Sequence, residues 1–133
     1  MRDDGIRRAG ISCWRYRELR AFCRQYDEKR RQAAQLLAAT GQVERGRYRR
    51  DSLANCALAA AQRERLLGDC RIIEQTAMEA DPAGGEAIIR NAARGVRFEE
   101  VGFYGERATF FRARERFFIG LDRELRRRDM HVS

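Results

Sequence analysis

The 133-residue chain predicts an all-α protein, a long antiparallel helical hairpin followed by a compact helical unit, and three observations carry that reading. Proline occurs once, and no run of alternating β-branched residues is present. Alanine, leucine, arginine and glutamate, all strong helix formers, dominate the composition. Apolar residues recur at spacings of three and four through long stretches, the period of a half-buried helix. A chain of this length suits one compact domain, burying roughly two-thirds of the surface its unfolded form exposes.

Residues 1–11, opening "MRDDGIRRAG", are polar, charged and glycine-punctuated, and predict a flexible basic arm. Ser12 is a good N-cap residue for a first helix. Tyr16, Leu19, Cys23, Tyr26, Ala33 and Leu37 then follow the three-four spacing, with Arg30 breaking the series, and predict one amphipathic helix to about residue 40. "TGQVERGRYRR", Thr40 to Arg50, reads as a basic connecting loop. Asp51 and Ser52 cap a second helix running to about Ala80, with Leu53, Cys56, Ala60, Leu67, Cys70, Ile73 and Ala77 as its stripe. Residues 12–81 are thus expected to form an antiparallel hairpin. It is either purely structural or, through spare apolar surface, the interface of a homodimer.

Pro82 cannot continue the second helix, and it opens a C-terminal unit, residues 82–128, ahead of a short tail, 129–133. A short helix over Glu86–Arg94 places Ile88, Ile89 and Ala92 inward, and Gly95 suits a left-handed stop. "VRFEEV" allows at most a turn or two of helix, "GFYG" is a link, and "RATFFRARERFFIGLDREL", Arg107 to Leu125, is a long helix. Three helical pieces separated by tight glycine turns have the layout of a helix-turn-helix domain. On the last helix Phe110, Ala113, Phe117 and Leu121 form a core stripe expected on Ile88, Ile89 and Val101. Phe111, Phe118 and Leu125 form a second stripe expected to dock on the N-terminal hairpin. Such spacing marks core aromatics rather than base-stacking platforms.

The chain carries 28 basic and 20 acidic residues, and 27 of the basic ones are arginine. Arginine favours bidentate contact with phosphate or carboxylate, although a GC-rich genome produces the same bias. Residues 1–50 hold 14 basic and 6 acidic groups, residues 51–89 hold 3 and 7, and residues 90–133 hold 11 and 7. Only the two ends are therefore plausible polyanion surfaces. The four cysteines lack any C-x-x-C pair and the only histidine is His131, so no metal is expected, and the cysteines read as small buried hydrophobes. No segment suits a signal peptide or a membrane span, which predicts a cytoplasmic protein. Adjacent Glu99 and Glu100 point about 100° apart on a helix and cannot converge as an acid-base pair. No nucleotide-cofactor or metalloprotease motif occurs, so neither an enzyme nor a cofactor is expected.

"GVRFEEV" at Gly95 to Val101 and "ERATFFRARERF" at Glu106 to Phe117 bring a family into view. The segment from Gly95 to Leu125 resembles the C-terminal end of small phage and prophage proteins related to the RinA and ArpU late-gene transcriptional regulators, whose tails look like sigma-factor region four. "CRIIEQTAMEADP", Cys70 to Pro82, is similar to the segment preceding this domain in prophage members. The resemblance implies a double-stranded DNA-binding regulator working in the host cytoplasm, with Arg107, Thr109 and Arg112 facing DNA and Phe110, Ala113 and Phe117 facing the core. Eight residues separate Glu100 from Thr109, fewer than in the fuller regulators, which predicts a compressed middle helix. Gly105 and Glu106 replace the capping Ser or Thr, and a glutamate there suits the helix dipole but repels a DNA phosphate.

The residues themselves give the same helix a polar face of Arg107, Thr109, Arg112, Arg116 and, partly, Arg114. Arginine can fork onto guanine and threonine can contact a phosphate or a thymine methyl. The basic loop, Arg45, Arg47, Arg49 and Arg50, adds non-specific attraction. Such a face equally describes the solvated side of an arginine-rich helix. The rival expectation is a phage-encoded protein-binding module, either an inhibitor of a host nucleic-acid-binding protein or a packaging adaptor, using its basic face on an acidic partner.

Overall fold

The computed structural model describes residues 4–44 and 50–132, with side chains placed for 5–39 and 53–131. The fold is all-α: α1 (Asp4–Arg8), α2 (Cys13–Arg24), α3 (Tyr26–Glu44), α4 (Arg50–Ala80), α5 (Gly85–Arg94), a single 3-10 turn (Phe98–Glu100) and α6 (Arg107–Val132). No strand occurs among the described residues. The chain divides into two compact units, one of Met1–Gln25 with Ile72–Ser133, the other Tyr26–Arg71. That division differs from the expected boundaries, because residues 12–25 and 72–81, the base of the expected hairpin, belong to the unit built around the C-terminal helix.

In the larger unit α6 is the central element. Phe110, Ala113, Phe117, Phe118 and Leu121 have no exposed surface, and Leu125 is buried. Ile88 and Val101 are fully buried beside the first stripe, as its spacing required, while Ile89 is only half-buried. The second stripe meets α2, where the rings of Tyr16 and Phe118 stand edge to face with centroids 5.1 Å apart. Each buried phenylalanine contributes about 1.5–3 kcal/mol. Arg15 of α2 reaches Asp122 of α6 at 2.7 Å, and Arg126 donates to the same carboxylate at 3.0 Å. The end of α4 lies against α6 as well, and Arg116 donates from Nε and Nη2 to the carbonyl of Ala80 at 3.2 and 3.1 Å. Pro82 follows, so α4 stops there. Asp81 then fixes the turn, its Oδ1 accepting from the amides of Ala83 and Gly84 and its Oδ2 from the Tyr104 hydroxyl.

The expected flexible arm is folded. Residues 4–8 form α1, and Ile6 and Ile11 are 2% exposed. Gly10, at φ +83°, ends the helix with its amide on Arg7 O and the Ile11 amide on Ile6 O, the hydrogen-bond pattern of a Schellman closure. Ile6 and Ile11, isolated among charges, anchor the segment to the core. Ser12 caps α2 as expected, accepting from the Arg15 amide at 3.1 Å. The single first helix is instead two, interrupted at Gln25, whose amide bonds Phe22 O three residues back. No glycine or proline marks the break, and the apolar stripe runs across it unchanged. The tail is helical too, since α6 continues to Val132.

In the smaller unit, α3 and the first part of α4 run antiparallel: Lys29 pairs with Asp69 at 2.9 Å, and the Cys70 thiol points to Tyr26 O at 3.7 Å. Of the expected stripe, Tyr26, Ala33 and Cys70 are buried, but Leu37 and Leu53 are each 53% exposed, and Leu58, outside the stripe, is 69% exposed. The expected stripe is therefore covered only near its base. Two helices share one narrow seam, and apolar residues off that seam stay in water. Helix also extends into the expected 40–50 loop from both sides. Cys23 and Cys70 are buried and Cys56 half-buried, but Cys13, at the first position of α2, is exposed and is no core hydrophobe.

Candidate nucleic-acid interface

The three pieces expected for the C-terminal unit are present, but the middle one is a three-residue 3-10 turn. Gly95, at φ +70°, closes α5 with its amide on Asn91 O at 3.0 Å, and the Arg24 guanidinium of α2 lies where a side chain at Gly95 would stand. The chain turns there and presents Arg97, Phe98 and Glu99 beside the start of α6.

Helix geometry sorts the expected site residues into two groups. At about 100° per residue, Arg107 and Arg114 lie about 20° apart, whereas Thr109, Arg112 and Arg116 cluster within about 60° of each other on the opposite side. The single polar face expected from the sequence is thus corrected to two. On the second face, Arg116 holds the Ala80 carbonyl, Thr109 is half-buried, and Arg112 is exposed and makes no ion pair among the described residues. Arg45, Arg47 and Arg49 lie outside the described residues, as does the side chain of Arg50.

Arg107 and Arg114 meet in an open cleft of about 610 Å³. Its lining comes from α2 (Tyr16, Arg20), α5 (Asn91), the 3-10 segment (Arg97, Phe98, Glu99) and α6 (Arg107, Phe111, Arg114). The Arg107 guanidinium sits 5.8 and 5.1 Å from the ring centroids of Phe98 and Phe111 and pairs with Glu99 at 2.7 Å. Glu99 is held below the usual carboxylate range, first by a hydrogen bond from its own backbone, then by the hydrogen bond and charge of Arg107 and the charge of Arg97. Arg97 reaches Glu100 only at 3.5 Å, both side chains being exposed.

Arg114 is held differently. Its Nε donates to Asn91 Oδ1 at 2.7 Å and its Nη1 to the Tyr16 hydroxyl at 2.9 Å, both neutral acceptors, while its carbon lies 4.8 Å from the Phe118 ring centroid. Arg20 lies 5.7 Å from the Tyr16 ring centroid and has no carboxylate partner among the described residues. Among the described residues the cleft therefore concentrates four arginines against one lining carboxylate, and two of the four, Arg20 and Arg114, have no carboxylate partner. An arrangement of this kind attracts anions.

Sequence reasoning named Arg107 and Arg114 but missed Tyr16, Arg20, Asn91, Arg97, Phe98, Glu99 and Phe111 as companions. The Arg107–Phe111–Arg114 spacing, one face of a helix, was a legible signal; the approach of α2, 98 residues away in sequence at the Tyr16–Arg114 bond, was not. Among the described residues no helix is long and apolar enough to cross a membrane, and no three acidic, histidine or cysteine side chains gather as a metal site. Comparison of the chain with family models, with curated proteins and with solved structures finds no match.

Proposed function

We propose that this protein binds double-stranded DNA through the phosphate backbone, in the setting to which its C-terminal motifs point, phage or prophage gene regulation. The observation that carries the reading is the convergence of Arg20, Arg97, Arg107 and Arg114 from three separate segments on one cleft. Arg112, exposed on the other face of α6, adds a further phosphate contact. Positive charge gathered in this way calls for an external anion, and DNA supplies closely spaced phosphates. Backbone contact is favoured over base reading. With a single turn ahead of α6, the helix that would cross the DNA backbone in a helix-turn-helix is reduced to three residues, and Arg107 is already engaged by Glu99.

The test is anisotropy of a labelled duplex titrated with protein at several salt concentrations. Affinity should fall linearly on a log-log plot, and Arg97→Ala and Arg112→Ala should each lower the slope by about 1. Affinity that ignores salt and both substitutions would overturn the reading. A rival, binding of an acidic protein partner by the same arginines, is favoured by the Glu99–Arg107 pair, which shows a carboxylate already accepted there. Recovery of source-genome fragments on immobilised protein separates the two: fragments retained near physiological salt support DNA, and none retained supports the rival. The exposed Leu53 and Leu58 of the hairpin support a homodimer as part of the reading. Leu58→Glu should then shift the mass measured by light scattering from dimer to monomer.

A further inference from the structure

From the cleft's own chemistry we infer that it is a built site for one nucleotide unit, with the phosphate at the Arg114 end and the base at the Arg107 end. The inference goes beyond the duplex reading and does not depend on it, because it stands on the side chains that line the cleft. Asn91 is fixed from behind, its Nδ2 donating to Val96 O at 2.9 Å, so Oδ1 is the atom turned to Arg114. Two of the guanidinium's three nitrogens are thereby used. Nη2 has no protein acceptor among the described residues, and none of their buried side-chain polar atoms is left without a partner, so Nη2 is not fully buried. The Tyr16 oxygen accepts from Arg114, which leaves its own hydrogen to donate. Arg20, one turn along α2 from Tyr16, brings a second uncompensated charge.

Three donors from two helices, carrying two positive charges on neutral supports, match the several oxygens and double charge of a phosphate monoester better than a single carboxylate. Seven residues along α6 carry the cleft about 10 Å from Arg114 to Arg107. At that end the planar Arg107 guanidinium lies over the Phe98 and Phe111 rings, and its outer face is a surface of the kind on which nucleobases stack. Glu99, the one acidic side chain among the described residues lining the cleft, is paired at this end with Arg107, away from Arg114. The volume falls within the roughly 300–1,000 Å³ of small-ligand sites. A free nucleotide and the 5′-phosphorylated end of a single strand share this chemistry.

The test is calorimetric titration of the full chain with adenosine 5′-monophosphate, adenosine, inorganic phosphate, and a short single strand with and without a 5′ phosphate. The monophosphate should bind more tightly than either fragment. Arg20→Gln, an exposed position that leaves the fold intact, and Arg114→Gln should each weaken it about tenfold or more. Phe111→Ala should weaken the monophosphate and spare inorganic phosphate. Preference for the phosphorylated strand over the free monophosphate assigns the site to strand ends, and the reverse assigns it to free nucleotide; both uphold the inference. A monophosphate bound no better than inorganic phosphate, or unaffected by Arg20→Gln, overturns it. Duplex binding measured on the same variants keeps the two readings apart: salt-dependent duplex binding without monophosphate binding defeats only the cleft, and the converse defeats only the duplex reading.

Discussion

Replacing Phe118 with alanine tests the packing that joins α2 to α6 and supports the cleft. The ring is fully buried, stands edge to face with Tyr16 at 5.1 Å and with Phe117 at 5.1 Å, and carries the Arg114 guanidinium 4.8 Å from its centroid. Removing a buried phenylalanine costs about 3–5 kcal/mol. Each aromatic pair accounts for about 0.5–1.5 kcal/mol of such a loss. Phe118, with two ring partners and a cation, should fall near the top of the range, at about 4–5 kcal/mol. Phe117→Ala, equally buried but with Phe118 as its ring partner, should cost about 3–4 kcal/mol. Phe118→Leu keeps most of the apolar volume and should lose about 1–2 kcal/mol, the ring geometry alone. Urea unfolding followed by circular dichroism reads all three. A Phe118→Ala loss below about 1.5 kcal/mol, or a Phe118→Leu loss equal to it, would refute the packing argument.

A double-mutant cycle on Arg15 and Asp122, whose side chains are only 20% and 14% exposed, should give a coupling of about 1 kcal/mol or more, above the value for exposed pairs; additive single losses would refute it. Asp81→Ala removes a buried acceptor from two backbone amides and should cost about 2 kcal/mol, while Asp81→Asn, which keeps an oxygen for those amides, should cost less; equal losses would show that the turn does not depend on them. For Glu99, whose carboxyl is held low in the folded protein, the stabilising pair is in place above the ordinary carboxylate range and is lost as pH falls through the lowered folded value. An NMR titration should place its midpoint below that range, and Arg107→Ala should raise it only partway, because the backbone hydrogen bond is the larger cause; an ordinary midpoint would refute the pairing.

The helical class was legible from composition and period, and so was the α6 core. Phe110, Ala113, Phe117 and Leu121 follow a spacing that only one buried helix face satisfies, and each is fully buried. Ser12 caps through its hydroxyl and Gly95 through the positive φ that its missing side chain allows, and both are legible because capping depends on a few neighbouring residues. The first segment folds on an equally local signal, the Schellman pattern of Ile6, Gly10 and Ile11, which charged neighbours hide in any average over the segment. The break at Gln25 leaves no local mark at all.

The candidate site divides along the same line. Arg107, Phe111 and Arg114 share a helix face, which the sequence determines by itself through the 3.6-residue turn. That Tyr16 and Arg20 meet that face, that Asn91 turns its oxygen to Arg114, and that Arg116, on the opposite face, finds the carbonyl at the end of α4 were decided by tertiary structure. An arginine's role follows from which acceptors the fold brings within about 3 Å of it, and those acceptors come from segments distant in the chain.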